Sequence, residues 1–216
     1  PANHWADVKG FSRKLKITPA LYFKTLYALL VRYYCDAEED FVFFDFNDGR
    51  SRNDLHSLGC HYQRHIVLAE QSAFNSKISD VFAHFKTQQK HTSDKQSLSL
   101  AAQTRLLPKL GSRFSYNYLY MPKSGSLGEL QFNGMSFSPD FDNNTDLRVQ
   151  LDGDQLTLSL CYQESELLPL QFLERLLHIS DQVVKGAHNV SDLDFVLPQE
   201  QSTLATAPVA APLLLD

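Results

Sequence analysis

Residues 41–46 read Phe-Val-Phe-Phe-Asp-Phe and run into Asn47-Asp48-Gly49. The run is short, aromatic and β-branched, and a turn signal closes it, so it reads as a strand. It is apolar at nearly every position, so period-two alternation has no polar side to give to water. A strand of this kind belongs inside a sheet, buried on both faces. Just before it, residues 18–34 carry Leu21, Leu26, Leu29, Leu30 and Tyr33 at helical spacing. Thr18 supplies an N-cap oxygen, and Pro19 occupies the first helical position, where its missing N–H costs nothing. A buried strand directly after an apolar helix calls for a layered structure with a substantial core, and 216 residues suffice for one.

Further elements follow by the same rules. Tyr62 to Leu68 reads as a strand. Asn75 to Lys90 repeats Ile78, Val81, Phe82 and Phe85 on a narrow helical side. Residues 114–120, FSYNYLY, alternate as a strand, and Met121 to Gly128 follow as a loop. Leu147–Leu151 and Gln155–Tyr162 flank Asp152-Gly153-Asp154 as an antiparallel hairpin. Pro169 to Lys185 is a second strong helix, with Phe172, Leu173, Leu176, Leu177, Ile179 and Val183 on its apolar side and Gly186 ending it. The resulting organisation is one domain over 1–198, with an Ala/Pro-rich linker or tail over 199–216.

Composition removes several classes. The formal charge is −5 with no Lys/Arg cluster, so the footprint of a nucleic-acid binder is missing. No apolar run reaches the ~18 residues of a bilayer span, and Pro1 to Trp5 show no basic segment leading into an apolar one, so no signal peptide is read. Three cysteines, Cys35, Cys60 and Cys161, fit reduced thiols and a cytoplasmic setting.

Reactive constellations are sparse. His56, Cys60, His61 and His65 could approach a Zn²⁺ ion from one side of a helix, but Gly59 and the pair Ile66-Val67 argue against that helix. The reading favours locally satisfied histidines and assigns no metal. Gly125-Ser126-Leu127-Gly128 is not a nucleophile elbow, and Cys35 lies at a helix C-terminus, where the dipole raises a thiol pKa. Asp140, Asp142, Asp146, Asp152 and Asp154 read as a solvated acidic stretch without calcium-loop spacing. The 15 Phe and 9 Tyr residues suit either a packed core or an apolar channel rimmed by hydroxyls.

The order of elements adds a resemblance. Thr18-Pro19 opens a helix, a strand ends at Asp48-Gly49-Arg50, and Ser57-Leu58-Gly59 precedes the next strand. His91, Phe114 to Tyr118, Asp146-Leu147, Tyr162 and Phe172 to Val184 follow in sequence. Together, over residues 10–198, these resemble the C-terminal half of a nonribosomal peptide synthetase condensation domain. The resemblance implies a chloramphenicol-acetyltransferase-like α/β subdomain, a mixed sheet with helices packed on one face. It also implies a tunnel for phosphopantetheine carried on a partner peptidyl carrier protein, with Asn117, Tyr118 and His91 as lining residues. The other implied partners are an adjacent adenylation domain and an N-terminal condensation lobe. A carrier protein is usually acidic, so Lys14, Lys16, Lys86 and Lys90 are the candidate docking residues.

The family's catalytic HHxxxDG motif has no counterpart, for no His-His pair occurs in the sequence. The segment Leu58 to Arg64 lacks the family's aromatic pair and Asn, and the later His motif is reduced to His91-Thr92-Ser93-Asp94. Amide formation between carrier-bound thioesters needs a positioned proton-handling group beside the amine. No catalytic residue is assigned, and the chain alone is expected to form no peptide bond. Two other expectations stand beside this one: a structural platform between synthetase domains, and half of a split CoA-dependent acyltransferase.

Overall fold

The Thr18 hydroxyl accepts a hydrogen bond from the Leu21 amide at 3.2 Å, and from this cap helix α2 runs over Pro19–Cys35. Every residue from Leu21 to Val31 is buried, Lys24 and Thr25 included. A helix closed off all round must have a neighbour on each side. Here it has the sheet on one side and α1 (Ala2–Leu15), α4 (Ile78–Ser93) and α5 (Phe172–Val184) on the others. The computed structural model describes residues 2–35, 39–47, 63–93, 102, 105, 114–120, 125–127, 130–132, 145–162 and 171–201.

The main sheet contains β1 (Phe41–Asn47), β2 (Gln63–Ala69), β3 (Phe114–Tyr120), β6 (Thr145–Asp152) and β7 (Gln155–Tyr162), in the order β2-β1-β3-β6-β7. The centre, β1-β3-β6, is parallel, and the flanking strands β2 and β7 are antiparallel to their neighbours. A short turn of helix, α3 (Gln71–Phe74), precedes α4, and β4 (Gly125–Leu127) pairs with β5 (Leu130–Phe132) in a separate ribbon. Among the described residues, all the helices that pack on the sheet lie on one face. Phe43, Tyr116, Leu147 and Val149 project there and meet Tyr27, Phe85 and Phe172.

Rings set much of this core. Tyr22 stacks on Phe82 with centroids 5.6 Å apart, and Phe11 of α1 meets both. Tyr22 also donates to the Ser180 carbonyl at 3.2 Å and shares a 2.8 Å hydroxyl contact with Ser180, while His4 Nε2 lies 2.9 Å from the same Ser180 Oγ. Three helices are thereby tied at one serine.

The predicted elements appear with shifts that have physical causes. The residues 2–15 helix was not among the expectations, because Gly10 and a largely polar sequence hide a stripe in which Val8 is fully buried. Tyr33 and Leu177, expected on apolar faces, are 41 and 37 % exposed. The buried side of α5 instead takes in Arg175 and Ser180. β1 buries Val42 and Phe43 on opposite faces, as its composition requires, while Phe44 and Phe46 are half-buried. Asp146 corrects the reading of a solvated acidic stretch: it is 2 % exposed within β6. Asp154 does lie in the exposed hairpin turn, 3.0 Å from Lys9. Asp140 and Asp142 fall outside the described residues.

Both α1 and α5 end the same way. Ile17 N–H bonds to the Ser12 carbonyl and Lys16 N–H to that of Arg13, while Ala187 bonds to Gln182 and Gly186 to Val183. This double closure places the residue after the helix cap in the left-handed region. Gly186 takes it with φ +105°, and Lys16, which carries a Cβ, with φ +53°.

Candidate functional site

The sheet face away from the helices carries the least expected chemistry. Strand alternation sends Tyr116 toward α2, where its hydroxyl donates to the Ala20 carbonyl at 2.7 Å. Burial and the Asp45 carboxylate raise the pKa of that hydroxyl. Ser115 and Asn117 therefore project to the other face. In register, Ser115 lies beside Asp146 of β6 and Asn117 beside Arg148. Ser115 Oγ donates to Asp146 Oδ1 at 2.9 Å, and Arg148 Nε donates to Asp146 Oδ2 at 2.7 Å. All four residues are buried, Asn117 at 6 % and Arg148 at 8 %.

A buried carboxylate survives only when paired and hydrogen-bonded. Asp146 meets that condition on both oxygens, so it is a neutralised anchor and not a free base. Asn117 does not meet it: its Oδ1 is sealed from solvent and accepts no hydrogen bond. An unsatisfied buried acceptor costs about 1–3 kcal/mol. The cluster is a buried polar network across β3 and β6, and by itself it supplies no nucleophile.

The other sequence candidates lie elsewhere. Tyr118 sits next to Asn117 and therefore projects to the helix-covered face, half-buried against the core, where burial raises its phenol pKa. His91 is exposed on the last turn of α4, in the helix layer across the sheet from Asn117. The structure thus does not bring Asn117, Tyr118 and His91 to one surface. Lys14, Lys16, Lys86 and Lys90 are all exposed. Lys14 is on α1, Lys16 directly follows it, and Lys86 and Lys90 are on α4; the two helices touch through Phe11 and Phe82. The Cys35 thiol is free, and partial desolvation raises its pKa. His56, Cys60 and His61 lie outside the described residues, and among the described residues no three His, Cys, Asp or Glu side chains gather as metal ligands.

Ser115 and Arg148 were not singled out from the sequence. The signal that could have found them is the alternation of FSYNYLY against TDLRVQLD, which aligns their polar positions once the strands are paired.

No family model and no curated protein matches the sequence. Solved structures do match in fold. A four-domain nonribosomal peptide synthetase, holo-AB3403, superposes with a TM-score of 0.76 at 11% identity, over 93% of this chain and 17% of that one. The condensation domain of the Monacolin K polyketide synthase MokA gives 0.69 at 14%, over 86% and 46%. The X-domain from teicoplanin biosynthesis gives 0.70 at 16%, over 91% and 48%. The class is thus a chloramphenicol-acetyltransferase-like mixed α/β fold. Within that class, this chain has the fold of a condensation-domain half, and it spans slightly less than half the length of the two single domains just given. Among the described residues no helix is long and apolar enough to cross a membrane.

Proposed function

We propose that these residues act as the C-terminal lobe of a condensation-type chamber in a nonribosomal peptide synthetase. In this reading the lobe provides one wall for the phosphopantetheine arm of a peptidyl carrier protein and forms no amide bond on its own. A second lobe bearing HHxxxDG completes the chamber, and an adenylation domain is the expected neighbour. The observation that carries the reading is the fold likeness: nearly all of this chain matches slightly less than half of a condensation domain. The absence of any His-His pair from the 216 residues supports the second part.

Asn117 is the residue assigned to the arm. Pantetheine carries two amides, and a side-chain carboxamide whose acceptor has no partner among the described residues is complementary to an amide N–H once the groups that cover it move aside. Lys14, Lys16, Lys86 and Lys90 are assigned to carrier docking, as exposed cations on or directly after two touching helices. The test is an assay with two loaded carrier proteins, run with this polypeptide alone and again with an HHxxxDG-bearing lobe added. Turnover by the polypeptide alone overturns the reading. With the second lobe, Asn117→Leu is expected to raise KM for the carrier substrate by about 10-fold, the loss of one to two hydrogen bonds. Charge reversal of the four lysines is expected to weaken carrier binding, and unchanged binding removes them from the docking surface.

A further inference from the structure

A cavity of about 710 Å³ opens at the other end of α2, lined among others by Arg32, Phe74, Asn75, Ser76, Lys77 and Asp80. The Asn189–Ser191 turn forms its far wall. Its rim is built before any ligand arrives. Ile78 N–H bonds to the His188 carbonyl at 2.9 Å, Val190 N–H bonds to the Ser76 carbonyl at 3.2 Å, and Lys77 and Asn189 form an antiparallel bridge. Asn189 is itself fixed by Asp192, whose carboxylate accepts from the Asn189 amide and side chain.

Arg32 is the group this frame leaves unexplained. Its guanidinium carbon lies 5.2 Å from the centroid of the Phe74 ring, a cation–π contact. Among the described residues it makes no hydrogen bond and no ion pair, and Nη1 is sealed from solvent without an acceptor there. An arginine near a helix C-terminus is favourable for the dipole, but that role leaves no reason to bury a donor unpaired. Lys77 stands exposed across the cavity, its ammonium without a partner among the described residues. Asp80, whose Oδ1 accepts from Ser79 Oγ at 3.3 Å, is the carboxylate in the lining among the described residues. Among the described residues Arg32 and Lys77 face one lining carboxylate, Asp80, while the Asp192 carboxylate behind the wall is spent on the Asn189 amide and side chain. The first turn of α4 adds the positive end of a helix dipole.

We infer that this cavity is a binding site for a phosphate monoester. The guanidinium nitrogens of Arg32 other than the sealed Nη1 and the ammonium of Lys77 would hold the phosphate oxygens, and the Ser191 hydroxyl and the Asn75 side-chain amide would stand beside them. The volume is that of an ordinary small-molecule site and exceeds what a bare phosphate needs, so an organic body accompanies the anion. The site is independent of the Asn117 cluster and of the carrier-dependent reading.

The test titrates the full chain with phenyl phosphate and with inorganic phosphate, by calorimetry at low salt and at matched ionic strength with chloride. Phenyl phosphate is expected to bind at least as tightly as inorganic phosphate. Arg32→Gln is expected to weaken it by about 10-fold or more and Lys77→Gln by about 3-fold, since charge-assisted bonds are lost. Asp80→Asn is expected to tighten it by about 2–3-fold by removing a nearby negative charge. That gain cannot come from a misfolded protein. Should Arg32→Gln unfold the chain, Arg32→Lys keeps the charge and loses the fork, and is expected to weaken binding in the same direction. No heat beyond the chloride control, preference for the bare ion, or affinities indifferent to Arg32 and Lys77 each overturn the assignment.

Discussion

Lys24 interrupts an otherwise apolar helix face, and its ammonium lies 2.5 Å from Asp45 Oδ2 of β1. The lysine side chain is 6 % exposed and that of the aspartate 19 %. The pair sits where α2 meets the sheet, so the ammonium is almost wholly withdrawn from water and the carboxylate largely so. Replacing Lys24 with Met keeps the volume and abandons the carboxylate. Breaking a fully buried pair costs about 3–5 kcal/mol, and the residual exposure of Asp45 lets some water in, so we expect about 2–4 kcal/mol. Replacing both, as Lys24→Met with Asp45→Leu, removes the stranded charge as well as the pair. The double variant is expected within about 1 kcal/mol of the parent, because apolar isosteres of buried ion pairs are often neutral or stabilising. Urea unfolding of the parent, both single variants and the double variant gives the cycle, with the m-value checking that the unfolding reaction is the same. A cost below about 1 kcal/mol for Lys24→Met would falsify the view that this contact is desolvated.

Three more expectations follow from features already described. Lys16→Gly is expected to stabilise the chain by about 0.5–1 kcal/mol in thermal or urea unfolding, because glycine accepts φ +53° without strain, whereas Gly186→Ala is expected to cost about 1 kcal/mol for the opposite reason. Burial lowers the His4 pKa below the ordinary imidazole value of 6.5. The unfolded chain therefore binds this proton more readily, so stability is to fall as pH drops below about 6.5, and His4→Gln is to flatten that part of the pH–stability curve. Finally, Arg175 is paired with Glu200 and with the Tyr34 hydroxyl while only 4 % exposed. Glu200→Gln is expected to cost about 1–3 kcal/mol and to expose the 193–201 segment to proteolysis, and an unchanged cleavage pattern would count against that role.

The sequence made α2, β1, α4 and the β6–β7 hairpin legible because each buries most of one face, and burial leaves its period in the residues. Ile78, Val81, Phe82 and Phe85 were read as the inner side of a helix and are each at most 2 % exposed. α1 was opaque because Phe11 and Val8 are scattered among polar residues and find their partners on α4 and α5, far along the chain. Asp146 was misread for a related reason. Its neighbours in sequence are acidic, whereas its neighbours in space are Ser115 and Arg148. Tyr118 was grouped with Asn117 by adjacency, although period-two alternation already places consecutive strand residues on opposite faces. Arg32 offered no signal at all, since its isolation depends on which acceptors fail to reach it.

The Arg175–Glu200 contact has a mechanical side. Glu200 also accepts from the Leu197 amide at 2.8 Å, Gln201 holds Asp194, and Phe195 stacks on Tyr33 with ring centroids 4.8 Å apart. Tension applied beyond residue 201 would enter the body through these clasps, loading α2 and α5 together before any slack could be taken up. A segment fastened in this way passes on torque as well as pull to the two helices that hold it.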